Sequence, residues 1–186
     1  MCLDEHGLAD YLVVAIGMRG WAIAQQGHRE EGIGRMRRAW AKMRPAGMGL
    51  ERPYYLCLLA ETCIEVDHLD EGLSALTEAL DAADKNEERE QEAEIHRLKG
   101  ELLLKQDESN APIARRCFER AIEIARKQSA KSWELRATMS LDRLLAKQGH
   151  RDEARTMLAE IYGWFTEGFD TADLKDAKAL LNQLNK

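Results

Sequence analysis

Apolar residues recur with one spacing in four stretches of the chain. In each stretch a small residue is followed four positions later by a large apolar side chain, and three positions after that by a further small or apolar one. The spacing i, i+4, i+7 marks one face of an α-helix. The small residues are Gly32, Gly72, Ala114 and Ala154, the large ones are Met36, Leu76, Phe118 and Leu158, and the third members are Ala39, Ala79, Ala121 and Ile161. Copies about 40 residues apart predict an internal repeat.

A second segment of apolar periodicity precedes each of these helices, so the repeating unit is predicted to be two antiparallel helices joined by a tight turn. Proline supports the boundaries, because Pro53 and Pro112 suit a first helical turn, while Pro45 with Gly47 ends a helix. The predicted helices cover 6–26, 29–44, 52–66, 70–84, 88–106, 110–128, 131–148, 151–163 and 171–185.

The last predicted helix stands outside the four pairs. Asp170 or Thr171 is expected to cap its start, and an apolar stripe along it would cover the open end of a helical repeat. The stripe consists of Leu174, Ala177, Leu181 and Leu184. We therefore predict one all-α domain over 1–186, with repeats at about 6–46, 50–86, 87–128 and 130–165 and a capping helix at 171–185.

The first helix of each pair carries its own small position. Gly20, Ala60 and Gly100 occupy it in three repeats, whereas the fourth repeat has Asp142 and departs from the pattern. Together with the small–large–small run of the second helices, this pattern resembles the tetratricopeptide repeat. The resemblance implies a right-handed α-solenoid, here with elongated helix pairs, since the period is about 40 rather than 34 residues.

A second resemblance rests on the stretches GWAIAQQGHREEGI, ERPYYLCLLAE, RLKGELLL and IYGWFTEGFDTADLKDAKALL. They are similar to the C-terminal repeat region of large bacterial predicted ATPases, which are often fused to adenylate-cyclase-like or transcription-regulator modules. The resemblance implies a non-catalytic protein–protein interaction module in bacterial signalling. The chain would be either a fragment of such a protein or a free-standing relative.

Composition agrees with a helical, soluble protein. Ala, Leu, Glu, Lys and Arg make up about half of the residues, which is typical of long helices. The net charge of −6 argues against nucleic acid as a partner, and no apolar stretch is long enough for a membrane span, so we expect a cytoplasmic protein. Cys2, Cys57, Cys63 and Cys117 form no CxxC pair and are expected to be reduced, mostly buried residues.

Motifs for catalysis or cofactor binding are missing from the sequence. It contains no GxxxxGK[ST], GxGxxG, GxSxG or HExxH stretch, so we expect neither an enzyme nor a cofactor. His28, His68 and His150 occupy equivalent turns of different repeats, too far apart to share one metal ion. No metal site is expected.

The tetratricopeptide resemblance implies a concave groove lined by the first helices of the pairs. The groove positions are Val14, Gly17, Trp21 and Gln25, then Tyr54, Cys57, Glu61 and Glu65, then Glu94, Arg97, Glu101 and Lys105, and finally Arg136, Met139, Arg143 and Lys147. A protein or peptide partner would use the whole surface. The lysine and asparagine set with which co-chaperone versions of the repeat hold an EEVD tail is not matched.

The groove also allows a second function. Arg97, Lys105, Arg136 and Arg143 could clamp a carboxylate or phosphate, because guanidinium groups bind both in a bidentate manner. The chain would then sense a small anionic effector and regulate an attached ATPase or cyclase. Alternatively, the acids Glu61, Glu65 and Glu101 neutralise these cations in a structural network.

Two further surfaces attract attention. The second helix carries Arg35, Arg37, Arg38, Lys42 and Arg44, which is either a site for an acidic partner or, as we favour, a solvated helix face.

The first helix is apolar on more than one side, at Tyr11, Leu12, Val13, Val14 and Ile16. A helix of this kind packs between two neighbours, which predicts either self-association through Leu12, Val13 and Ile16 or missing upstream repeats.

Overall fold

The computed structural model describes the backbone of residues 5–43 and 51–185, and the side chains of this part from residue 11 onward except residue 43. Within these ranges nine α-helices have the following bounds: α1 Glu5–Gln25, α2 Arg29–Met43, α3 Arg52–Glu65, α4 Leu69–Asn86, α5 Glu92–Gln106, α6 Ala111–Lys127, α7 Lys131–Lys147, α8 Arg151–Tyr162 and α9 Ala172–Leu184. No strand occurs in these two ranges. The fold class is all-α, as predicted.

Most helix boundaries agree with the sequence prediction to within one or two residues. One start was wrong: the helix predicted from 88 begins only at Glu92, after a 3₁₀ turn over Arg89–Gln91. Glu87 has a left-handed backbone (φ 60°) and its N–H bonds to the carbonyl of Ala83, so the chain leaves helical geometry there and needs a turn before the next helix. Cys2, Pro45 and Gly47 lie outside the described residues.

The described residues form two compact units, which meet in sequence between Gln91 and Glu92. In the first unit α1 packs on α2, α3 packs on α4, and α3 also contacts both helices of the first pair. In the second unit α5 packs on α6 and α7 on α8, while α9 lies against α7 and α8. The single domain over 1–186 stays a prediction.

The repeated apolar face forms the core of both units. The large members Met36, Leu76, Phe118 and Leu158 are at most 1% exposed. The stripe of α9 is buried at three of its four predicted positions, with Leu181 half-buried. The spacing that predicted the helices therefore also predicted which side of each helix is buried.

Close helix contacts explain the small residues. A Cβ atom on Gly20 of α1 would lie 2.9 Å from the carbonyl oxygen of Gly32 on α2, and one on Gly32 would lie 2.6 Å from the Cβ of Ala24. At Gly100 of α5 a Cβ would overlap the ring of Phe118. The helices of a pair approach this closely only because these side chains are absent.

The turns inside the pairs are of two kinds. In repeats one, two and four a residue with positive φ, Gly27, Asp67 or Gly149, ends the first helix, and the next N–H reaches back to the last turn, as in His28 to Ile23. The third repeat instead has extended Asp107, whose carboxylate accepts from the Ser109 N–H at 2.8 Å. Thr171 is the N-cap residue of α9, one of the two predicted, but it makes no side-chain capping bond, because its hydroxyl donates to the Gly168 carbonyl instead.

Candidate functional site

The first-helix face of the first unit is partly open and carries aromatic side chains. We use this name for the surface of α1 and α3 at the predicted groove positions; these two helices are in contact. Trp21, Tyr54 and Glu61 are half-buried, whereas Gln25 and Glu65 are exposed. A protein partner could therefore contact indole, phenol and carboxylate groups within one unit.

Two details define the chemistry of this face. The indole Nε1 of Trp21 is buried and has no hydrogen-bond acceptor among the described residues, so only the half-buried ring is available to a partner. The ring of Tyr54 meets that of Tyr55 edge to face at 5.5 Å. Glu65 does not stand alone, since Arg29 Nε lies 2.6 Å from its Oε2.

Two expected groove positions of this unit are buried. Gly17 lies where a side chain would overlap the ring of Trp40 on α2, so it serves the packing within the first pair. Cys57 is also buried. The open part of the first-helix face consists of the half-buried and exposed positions, Val14, Trp21, Gln25, Tyr54, Glu61 and Glu65.

The first-helix face of the second unit, formed by α5 and α7, holds a buried ion-pair network. Arg97 donates two hydrogen bonds to Glu94, at 2.8 and 2.7 Å. Arg136 of α7 reaches the same carboxylate at 3.1 Å. Glu94 is 4% and Arg97 8% exposed, so the charges attract each other in a medium of lower dielectric than water.

Neighbouring groups complete the network. Glu101 lies 3.7 Å from Arg97 and accepts a 2.6 Å hydrogen bond from the Ser140 hydroxyl. The guanidinium of Arg136 stacks 5.4 Å from the ring centroid of Trp133 and lies 3.9 Å from Asp173 of α9. Two of the four cations expected to clamp an anion therefore share a carboxylate of the protein itself.

The other predicted residues of this face differ from one another in exposure. Lys105, Arg143 and Lys147 are exposed, and Met139 is buried. The sequence analysis placed Glu94 on this face but did not recognise it as the shared partner, and it missed Ser140, Trp133 and Asp173. A signal existed: Glu94 and Arg136 occupy the same position in consecutive repeats, which places them on neighbouring helices.

Two residues of the basic run on α2, Arg35 and Arg37, are paired with acids. Arg37 donates to both oxygens of Glu71 on α4, at 2.7 and 2.6 Å, and this hydrogen bond is the main cause that raises the pKa of Arg37. Arg35 contacts Glu31 at 2.9 Å. Arg38 and Lys42 are exposed, and Arg44 lies outside the described residues.

Histidine and acidic side chains form no metal site in the described ranges: they contain no group of three or more His, Cys, Asp or Glu residues that could hold an ion. His28, His68 and His150 each directly precede a second helix. His68 Nε2 lies 3.3 Å from Glu30 and Nδ1 lies 3.7 Å from Glu71. His68 therefore belongs to the contacts that join the two helix pairs of the first unit.

A groove on the second helices recurs in both units. In the first it is a cavity of about 270 Å³ between α2, α3 and α4, and in the second a cavity of about 400 Å³ between α6, α7 and α8. Equivalent residues line the two, with Trp40, Leu59 and Ala75 in one and Ile122, Leu141 and Met157 in the other. The recurrence follows from the repeat.

The outer side of α1 exposes apolar groups. Tyr11 is 75%, Leu12 60% and Ile16 40% exposed, and Val13 is half-buried. A contiguous apolar stripe of this kind on a helix is typical of an interaction surface. Self-association through it stays a prediction.

Comparisons with known proteins point to one fold class. No protein-family model and no curated protein matches the chain. The chain is similar to the crystal structure of a variant of a Podosopora anserina putative kinesin light chain with nearly identical TPR-like repeats, with a TM-score of 0.68 and 13% identity. The match covers 94% of this chain and 85% of the other. At this identity it establishes the fold: a tetratricopeptide-like helical repeat, in the α-solenoid class.

The structure also bears on the membrane. None of the helices within 5–43 and 51–185 is both long and apolar enough to cross a bilayer.

Proposed function

We propose that the chain is a non-catalytic, cytoplasmic module that binds a protein or peptide partner through its first-helix faces, in a bacterial signalling or regulatory protein. Tetratricopeptide-like repeats typically bind proteins and typically lack catalysis, which supports the general class. The resemblance to the repeat regions of bacterial ATPases supports the signalling context.

The observation that carries the choice of partner is the buried Glu94 pair with Arg97 and Arg136. A small anionic effector would have to displace Glu94 from both guanidinium groups. Removing one member of a buried pair is costly, because the remaining charge loses its partner. This favours a protein or peptide partner over the effector-sensing alternative.

The partner is proposed to contact the first unit at Trp21 and Tyr54. Aromatic residues with part of their surface accessible contribute strongly to binding when a partner covers them. For Trp21 the contact is made by the accessible part of the indole ring, because its Nε1 is buried.

Affinity capture from a lysate of the source organism followed by titration of the purified partner tests the proposal. We expect Trp21→Ala and Tyr54→Ala to weaken binding at least tenfold each, since truncation of an interface aromatic costs roughly 2 kcal/mol or more. Ile113→Ala, which trims a 43% exposed apolar side chain on α6, is the matched control and should bind normally. Equal loss in all three variants, or in none, would reject the site.

The effector alternative has its own readout. Thermal unfolding in the presence of inorganic phosphate, a nucleotide or a dicarboxylate should be unchanged under the proposal. A rise in melting temperature with one of these anions that Arg97→Met abolishes and Arg38→Met retains would replace the protein-binding proposal with the sensor.

A further inference from the structure

Asp142 is a buried carboxyl group in the last helix pair. It lies on α7 at the position that Gly20, Ala60 and Gly100 occupy in the other three repeats. Asp142 is 0% exposed, and within the described part of the chain neither of its carboxyl oxygens has a hydrogen-bond partner. A group that normally needs several donors therefore lies where the other repeats have almost no side chain.

The position is a close helix contact in the other repeats. A Cβ at Gly20 would already lie 2.9 Å from the backbone of the second helix, and one at Gly100 would overlap a buried ring. The repeat register, together with the effect of the Glu153 charge of α8 on this group, places the carboxyl group of Asp142 at the α7–α8 contact of its own pair. Any change in its charge acts directly on the packing of these two helices.

Burial determines the protonation of this group. Loss of water raises the pKa of Asp142 to about 8; Arg143, its neighbour on α7, acts to lower the pKa, and Glu153 of α8 acts to raise it. Arg143 is exposed to solvent, which weakens its attraction. The neutral acid is consequently the form that fits the packed helices at neutral pH.

Arg143 and Glu153 are the charged groups that act on Asp142 within the described residues. Acids on the other elements packed against α7 have partners of their own, among them Glu94 and Glu101 of α5, held by Arg97 and Ser140; Glu119 and Glu123 of α6, held by Arg115 and Lys127; and Asp173 of α9, near Arg136. The geometry around Asp142 thus offers no pairing for a carboxylate comparable with that of Glu94.

We propose that Asp142 is a proton-dependent latch for the last helix pair: the neutral acid lets α8 pack on α7, and ionisation loosens α8 from it. This inference does not rest on the proposed function. Because α8 is also one wall of the 400 Å³ cavity lined by Ile122, Leu141 and Met157, loosening would widen an apolar groove. The latch links proton concentration to the accessibility of that surface.

The sign of the pH dependence follows from linkage. A carboxyl whose pKa is higher in the folded than in the unfolded chain stabilises the fold fully below the unfolded pKa of about 3.9. That contribution is lost as the pH rises to the folded value of about 8. Over this interval unfolding releases one proton, so the unfolding constant should rise about tenfold per pH unit.

The test compares the full chain with Asp142→Ala, which installs the residue that repeat two has at this position, and with Asp142→Asn, which has a similar shape but cannot ionise. Asp176→Ala removes an exposed carboxylate of α9 and is the control. Urea unfolding is measured from pH 5 to 9. Amide hydrogen exchange of α8 and α5 is measured at pH 5 and at pH 9, with correction for the intrinsic exchange rates at each pH.

We expect the wild-type chain and Asp176→Ala to lose stability from pH 5 to about pH 8 and to level off above it. Their α8 amides should lose at least tenfold protection between pH 5 and pH 9, while those of α5 lose less. Both Asp142 variants should lack this pH dependence, and either one suffices if the other fails to fold. The latch would be overturned if Asp142→Asn kept the pH dependence of the wild-type chain. It would also be overturned if neither the stability of the wild-type chain nor its α8 protection changed with pH.

Discussion

The two units build their first-helix faces from the same repeat but give them different chemistry. In the first unit Trp21 and Tyr54 remain partly open, and the Nε1 of Trp21 has no acceptor. In the second unit Arg97 and Arg136 close onto Glu94. The comparison teaches that a charged residue at a groove position does not by itself mark a binding site, because its counter-ion can come from the next repeat.

Removing the shared carboxylate should have the largest effect on this comparison. Glu94→Gln leaves Arg97 buried without a full counter-charge, and we expect it to lower the free energy of unfolding by about 3 kcal/mol. The control is Glu65→Gln in the first unit, whose partner Arg29 is 45% exposed, with an expected loss of at most about 1 kcal/mol. Urea unfolding measures the free energy of unfolding of both variants. Similar losses would show that the network of Glu94, Arg97 and Arg136 does not stabilise the fold more than an exposed ion pair does.

Filling the close helix contacts should have the next largest effect. Gly100→Ala would push a methyl group into the Phe118 ring and Gly20→Ala would push one against the backbone of α2, so we expect losses of about 2 and about 1 kcal/mol. Gly34→Ala, whose nearest neighbour is the flexible end of Arg38 at 3.6 Å, should instead stabilise α2 by about 0.5–1 kcal/mol. Thermal unfolding of the three variants measures these changes. A Gly100→Ala variant more stable than the wild-type chain would contradict the close contact between Gly100 and Phe118.

Self-association is predicted for the first unit and not for the second. Leu12→Glu and Ile16→Glu place charge on the exposed apolar side of α1, and sedimentation at micromolar concentration should then give the monomer mass of 21.1 kDa. Ile113→Glu on α6 is the control and should sediment as the wild-type chain does. A wild-type chain that is monomeric throughout would refute this use of α1.

The smallest effect is expected at the paired basic run of α2. Arg37→Ala breaks a bidentate but largely exposed contact with Glu71, and the unfolding free energy should fall by about 1 kcal/mol or less. The loss should shrink in 1 M salt, because salt screens exposed charges. A large, salt-independent loss would show that Arg37 acts through packing instead.

Helix boundaries and buried helix faces were predictable because the signals for them lie close together in the sequence. The spacing around Met36 and Phe118 repeats at short range, and Pro53 and Pro112 mark helix starts by their own geometry, so boundaries and buried faces follow from the sequence. The turn after Asn86 was not predictable in the same way. Glu87 is exposed and adopts positive φ although it is not glycine. Its N–H and that of Glu88 bond to the carbonyl of Ala83, a left-handed helix end that glycine usually marks in a sequence.

The candidate site was predictable in position but not in chemistry. The repeat register placed Trp21, Tyr54 and Arg97 on the first helices, where the structure has them. Which of these side chains stay open depends on contacts between repeats, such as that of Arg136 with Glu94. Asp142 shows the same limit, since its departure from the pattern was visible in the sequence while its lack of any partner was not.

Hydroxyl-radical footprinting of the chain with and without its captured partner tests the central claim most directly. Oxidation of Trp21 and Tyr54 should fall severalfold on binding, while that of Trp164, which is 59% exposed and lies in the second unit, should not change. Unchanged oxidation of Trp21 and Tyr54, with protection confined to the second unit, would contradict the account.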